Sequence, residues 1–169
     1  MKQTVFFIMV IMGQGAVFAE PVKTIGWIEH VKLHSRNMLM KAKIDTGADN
    51  SSINATNVKM FEKNNVRYVS FTVENKLGDI AEFTRPLIRM VKIKRKGAES
   101  LKRPVVSMDL CIGNTLHVAH VNLANRENFK YRMLIGRSFL KGLFLVNSNR
   151  KHTVEPNCQG TTTAQKKPV

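Results

Sequence analysis

The stretch Lys41 to Ala55, KAKIDTGADNSSINA, places an aspartate, a threonine and a glycine where a strand should continue. Met40, Ala42 and Ile44 alternate with Lys41 and Lys43, the period of a half-buried strand. Asp and Gly are poor strand residues, so the strand must end in a tight turn at Asp45-Thr46-Gly47. A carboxylate held at the mouth of such a turn is either a local stabiliser of the turn or a reactive group. A second short apolar run, Met133-Leu134-Ile135, meets a glycine in the same way at Gly136-Arg137. The other reactive side chains are less well ordered. There is no H-E-x-x-H pattern. His117 and His120 are three apart on a predicted strand and so face opposite sides, while a strand spreads His30 and His34 too far for one metal. Gly13-Gln14-Gly15, the only hint of a phosphate-cradling loop, falls in an apolar leader. No metal site and no cofactor is expected.

The elements that must position Asp45 read as short strands. Thr24–Leu33, Met38–Ile44, Val66–Val73, Leu87–Lys94, Pro104–Ile112 and Leu116–Leu123 have strand composition, and Ser138–Gly142 suits one helical turn. The polar tip Arg95–Ser100 joins two of them into a long hairpin. The class is all-β, a small closed or sandwich-like barrel. Residues 1–19 read as a secretory signal peptide: Lys2, then the apolar run Val5–Met12, then Val17-Phe18-Ala19 before the cut. Export to the periplasm is therefore expected, with an uncleaved N-terminal anchor as the alternative. Residues 20–149 form one domain, and residues 150–169 read as a polar, disordered tail. Cys111 and Cys158 could pair in an oxidising compartment or remain free.

The chain carries 27 Lys and Arg against 12 Asp and Glu, a net charge of +15, and only Lys2 of these lies in the leader. Such a surface attracts anionic partners, which for an exported protein means envelope components or acidic peptides. Nucleic acid is not an expected partner.

The two turns together resemble the signature of retropepsin-like aspartic proteases: Asp45-Thr46-Gly47-Ala48-Asp49, then Met133-Leu134-Ile135-Gly136-Arg137. TIGWIEHVKL, KAKIDTGA and the run KRPVVSMDLCIGNTLHVAHVNLANRENFKYRMLIGRSFL are similar to the bacterial branch of that clan, over residues 24–149. That branch is often labelled "ATP-dependent zinc protease", a label for which the residues offer no chemical support. The resemblance implies an acid-protease barrel, one lobe per chain, with Asp45 catalytic. Thr46, Gly47, Ala48, Asp49, Gly136 and Arg137 support it, Asp49 and Arg137 as an ion pair bracing the turn. Two carboxylates a hydrogen bond apart share one proton: the ionised one takes a proton from water, and the protonated one polarises the scissile carbonyl. A single chain carries a single Asp-Thr-Gly, so the second carboxylate must come from another copy in a symmetric homodimer.

The expected activity is thus an exported aspartic endopeptidase acting on an extended peptide or protein segment. A non-catalytic peptide-binding module, or a basic module binding an anionic envelope component, is the alternative on the same fold. A retropepsin closes a hairpin over its substrate, and here the tip falls at Gly97, free to bring backbone close to a bound chain.

Overall fold

The computed structural model describes residues 22–95 and 98–159. The proposed signal peptide, Gly97 and residues 160–169 lie outside the described residues. The strands are β1 (Lys23–Gly26), β2 (Ile28–Leu33), β3 (Met38–Ile44), β4 (Ser51–Asn54), β5 (Thr56–Lys63), β6 (Val66–Glu74), β7 (Ile80–Arg95), β8 (Ala98–Ile112), β9 (Thr115–Ala124), β10 (Met133–Ile135) and β11 (Phe144–Asn147), with one helical turn, α1 (Arg137–Leu140). Strands β2, β3, β10, β4, β9 and β8 pair in that order, and β2 returns to β8 through Lys32↔Cys111 and Leu33↔Leu110. These six strands therefore close into a ring, and β7, β6 and β5 continue the sheet beyond β8, with β5 at its edge. The inward residues fill it: Val31, Leu33, Met40, Ala42, Ile53, Leu110, Val121, Met133 and Ile135 are all buried. Phe139 of α1 closes one end and stacks on Phe144, 6.1 Å between ring centroids.

The all-β expectation holds, with three differences. The first predicted strand is two, because Trp27 breaks the ladder between β1 and β2. Residues 51–63 carry two further strands, the first buried along its whole length and the second exposed along its whole length, so neither shows alternation. The third concerns the C-terminal segment. Residues 150–158, read from sequence as part of a disordered tail, instead form a strap across β2.

Three kinds of bond hold this strap. Trp27 N–H donates to Arg150 O (2.9 Å), His152 N–H to Ile28 O (2.8 Å) and Asn157 N–H to Gly113 O (2.7 Å). Cys158 is joined to Cys111 of β8 by a disulfide. Glu29 is fully buried, and its carboxylate accepts hydrogen bonds from Gly26 N (2.6 Å), Thr153 N (3.0 Å) and Thr153 Oγ1 (2.5 Å). Buried charge is tolerated only when its lone pairs are satisfied in this way. The strap lies so close to β1 that a Cβ at Gly26 would stand 2.5 Å from Arg150 O, so only glycine fits there. Through Trp27 the strap reaches the C-terminal end of β3: Trp27 N–H is bonded to Arg150, and Trp27 O accepts Ile44 N–H (2.9 Å) one residue before Asp45.

Glu29→Ala strands several buried donors and should cost about 3 kcal/mol, seen as a lower urea midpoint at unchanged slope. An unchanged midpoint would show that the strap does not depend on this carboxylate. Burial first, then Lys41 and His30, lower the His152 pKa. The unfolded chain then binds more protons than the folded one as pH falls past about 6.5, so stability drops on acidification from pH 7 to 5. His152 has φ +52°, which asparagine tolerates, so His152→Asn should keep the fold and lose that component of the pH dependence. Identical pH profiles for the two proteins would assign the dependence to other groups.

Candidate active site

Parallel pairing of β3 with β10, Ile44 beside Ile135 and Ala42 beside Met133, brings two turns together that lie far apart in sequence. Asp45 N–H donates to Ile135 O (2.8 Å), Arg137 N–H to Ala48 O (2.9 Å) and Ser138 N–H to Asp49 O (3.0 Å). The backbone of residues 45–49 is thus bonded along its length to residues 135–138. Gly136 is the contact point. A Cβ there would lie 2.6 Å from the carbonyl carbon of Asn50 and 3.0 Å from Ala48 O, both backbone atoms that cannot give way. Its own N–H donates to Ser51 Oγ (3.2 Å), one reason a serine is buried in β4.

The Asp45 carboxylate has two distinct oxygens. Oδ1 accepts Gly47 N–H (3.1 Å) and stabilises the turn. Oδ2 faces the Lys43 ammonium at 3.2 Å, on the outward side of the strand. The residue is therefore both a turn-stabiliser and a presented group: its side chain keeps 25% of its surface accessible. Thr46 and Gly47 are exposed beside it and Ala48 is half-buried.

Arg137 braces the turn, though not chiefly through Asp49. Its guanidinium donates to Thr46 O (2.9 Å) and Gly47 O (3.0 Å), with Asp49 Oδ1 more distant at 3.5 Å. Both side chains of this ion pair are more than half exposed, so solvent screening leaves the pair itself little weight. The carbonyl contacts carry the brace.

Two cationic neighbours of Asp45, Lys43 and Arg126, were not marked by the sequence. Lys43 looked like an ordinary outward strand residue. Arg126 sits in the loop between β9 and β10, its Nε donating to Tyr131 O (3.3 Å) and its guanidinium over Phe129. Burial and nearby Arg103 lower the Arg126 pKa, while Asp45 opposes them. Nothing in local sequence marks Arg126, because the fold brings its loop to Asp45. Arg89 of β7 also reaches the site, donating to Asn50 Oδ1 (3.2 Å). His117 packs edge-on against Phe139 and His120 faces Arg89. Among the described residues no three His, Cys, Asp or Glu side chains converge as a metal site would require.

A family model described as "Retropepsin-like aspartic endopeptidase RimB" matches residues 24–157. Among curated proteins, a "Probable alpha-L-glutamate ligase" from Shewanella pealeana is 32% identical over 111 residues, 64% of this chain and 24% of that protein. Its namesake from Parasynechococcus marenigrum is 29% identical over 116 residues, 67% of this chain and 25% of that one. The chain thus spans about a quarter of the length of the curated relatives it matches. Among solved structures, a Legionella pneumophila protein described as having unknown function superposes with a TM-score of 0.70 at 32% identity, covering 79% of this chain and 98% of the other.

Two glycines of the site should respond differently to one added methyl group. Gly136→Ala forces the two turns apart and should cost about 2–3 kcal/mol, as overpacking against rigid backbone does. At Gly47 the nearest atom a Cβ would meet is Asp45 Oδ1 at 3.3 Å, a side-chain atom that can shift by a few tenths of an ångström, so Gly47→Ala should cost less than about 1 kcal/mol. Equal melting temperatures for the two variants would contradict the described contact.

Proposed function

This chain belongs to the RimB-like family of retropepsin-like aspartic endopeptidases, and from that premise we propose that it hydrolyses peptide bonds as a homodimer. The observation that carries the reading is Asp45, held at the end of β3 by a turn bonded throughout to Gly136–Ser138, with one oxygen directed outward. One chain supplies one such carboxylate. Two copies facing each other would share a proton between their Asp45 side chains, one activating water and the other hydrogen-bonding the scissile carbonyl. The pair would titrate as a unit.

The face that receives the second copy is a groove of about 610 Å³ bordering the catalytic turn, lined by Thr46, Asp49, Arg137, Val22, Leu140 and Leu145. Val22 and Leu145 are 46% and 61% exposed, large apolar side chains beside a site that is half complete. Covering this patch and completing the dyad are the same event in this reading.

The substrate is an extended, glutamate-rich peptide. The relatives are named for joining α-L-glutamate, and an endopeptidase segment in such a chain would act on the same bonds in the opposite direction. The +15 charge and the lysine beside Asp45 suit acidic side chains. Export is part of the proposal, supported by the sequence of residues 1–19 and by the Cys111–Cys158 disulfide, a bond that persists in oxidising compartments. One observation favours a second reading, a non-catalytic module for acidic peptides: Lys43 occupies the Asp45 oxygen that the dyad needs.

Digestion of a peptide library separates the two. Cleavage by the wild type and its loss in Asp45→Asn, a variant that keeps the shape of the side chain, is the expected result. Intact peptides, bound but uncut by the wild type, would support the module. Leu145→Lys should abolish both dimerisation in sedimentation and cleavage, with an unchanged circular dichroism spectrum. Full activity in that variant would place the interface elsewhere.

A further inference from the structure

Lys43 and Asp45 are two residues apart on an extended strand, so both side chains leave the same face. The ammonium lies 3.2 Å from Asp45 Oδ2, and 44% of the lysine side chain is accessible to solvent. A pair so exposed is weakly held and exchanges partners readily. Among the described residues no second carboxylate contacts this ammonium. Glu29, the nearest acidic residue on the paired strand β2, is buried and engaged by the strap. Arg126 is a further cationic neighbour of Asp45, and the other carboxylate of the turn, Asp49, faces Arg137.

Chemistry makes the contact incompatible with a working dyad. A second carboxylate must approach the outward side of Asp45 and share a proton with it. An ammonium on Oδ2 occupies that position and favours full ionisation of both carboxylates. Lys43 must therefore leave Asp45 for hydrolysis to proceed. Its ammonium, 44% accessible, can be drawn away by an anion that arrives with the substrate.

We propose that Lys43 is a specificity-determining residue: its ammonium rests on Asp45 in the free subunit and transfers to an acidic side chain of the substrate beside the scissile bond. This rests on the reading that Asp45 is catalytic. An acidic side chain competes with Asp45 for the ammonium, so its binding draws the lysine off the catalytic oxygen. The same strand face continues the pattern. Lys41 lies two residues, roughly 7 Å, further from Asp45. It borders a cavity of about 160 Å³ whose lining includes Lys76, Lys130 and Arg132, the last paired with Glu74 at 3.2 Å. A further acidic side chain of an extended peptide would find cationic partners there.

The test uses two peptides that differ only by Glu or Gln next to the scissile bond, a change that keeps shape and removes charge. Wild type, Lys43→Met and Lys43→Arg are compared by the ratio of kcat/KM for the two peptides. The wild type should prefer the Glu peptide, Lys43→Met should lower the ratio about tenfold, and Lys43→Arg should restore most of it. Lys43 is accessible, so an unchanged melting temperature confirms that the variants are folded. A ratio unaltered in Lys43→Met, or no preference in the wild type, overturns this inference while leaving the peptidase reading intact. Absence of any Asp45-dependent cleavage of either peptide overturns the peptidase reading and this one with it.

Discussion

The close approach of Gly136 to the backbone of Ala48 and Asn50 is the constraint on which the rest of the site depends. It lets the parallel strands β3 and β10 end side by side, and the hydrogen bonds from Asp45, Arg137 and Ser138 then fix one turn against the other. A loop carrying a lone aspartate is ordinarily mobile. Here its orientation is set by backbone bonds on one side and by the Arg137 guanidinium on Thr46 O and Gly47 O on the other. The closed ring of strands supplies a rigid base, and the strap adds a second anchor through Trp27 to Ile44. Pre-organisation of this kind is what a catalytic carboxylate requires, because its position is settled before substrate arrives.

Electrostatics explains why the site looks incomplete. One Asp45 oxygen serves the turn and the other faces a lysine, with Arg126 a further cationic neighbour. A lone anion among cations is a stable resting arrangement, but it is the opposite of a pair of carboxylates sharing one proton. On the proposed reading, two events convert the first into the second: a second subunit brings its own Asp45, and an acidic substrate draws the lysine away.

Much of this was legible in the sequence, and the exceptions have physical causes. Alternation marked β3 and β6, since one face of each is buried and the other wet. Asp-Thr-Gly and Ile-Gly-Arg marked the turns, because turn chemistry is local. Strand β4 was missed because its polar residues are buried on both faces to serve distant backbone: Ser51 Oγ accepts Gly136 N–H and Asn54 Oδ1 accepts Arg126 N–H. The strap was misread as tail because polar composition suggests solvent, whereas Thr153 and its neighbours answer a buried glutamate more than a hundred residues earlier. The Asp49–Arg137 brace was correctly placed but wrongly weighted. Sequence pairs the two side chains, while the structure turns the guanidinium toward carbonyl oxygens that any residue could supply.

The central claim is that each active site takes one carboxylate from each of two chains. Wild-type and Asp45→Asn subunits, mixed in varying proportion at constant total concentration and allowed to exchange, test it most directly. If both chains contribute, only wild-type pairs cleave and activity falls with the square of the wild-type fraction. A linear fall would show that a single chain suffices and would contradict the account.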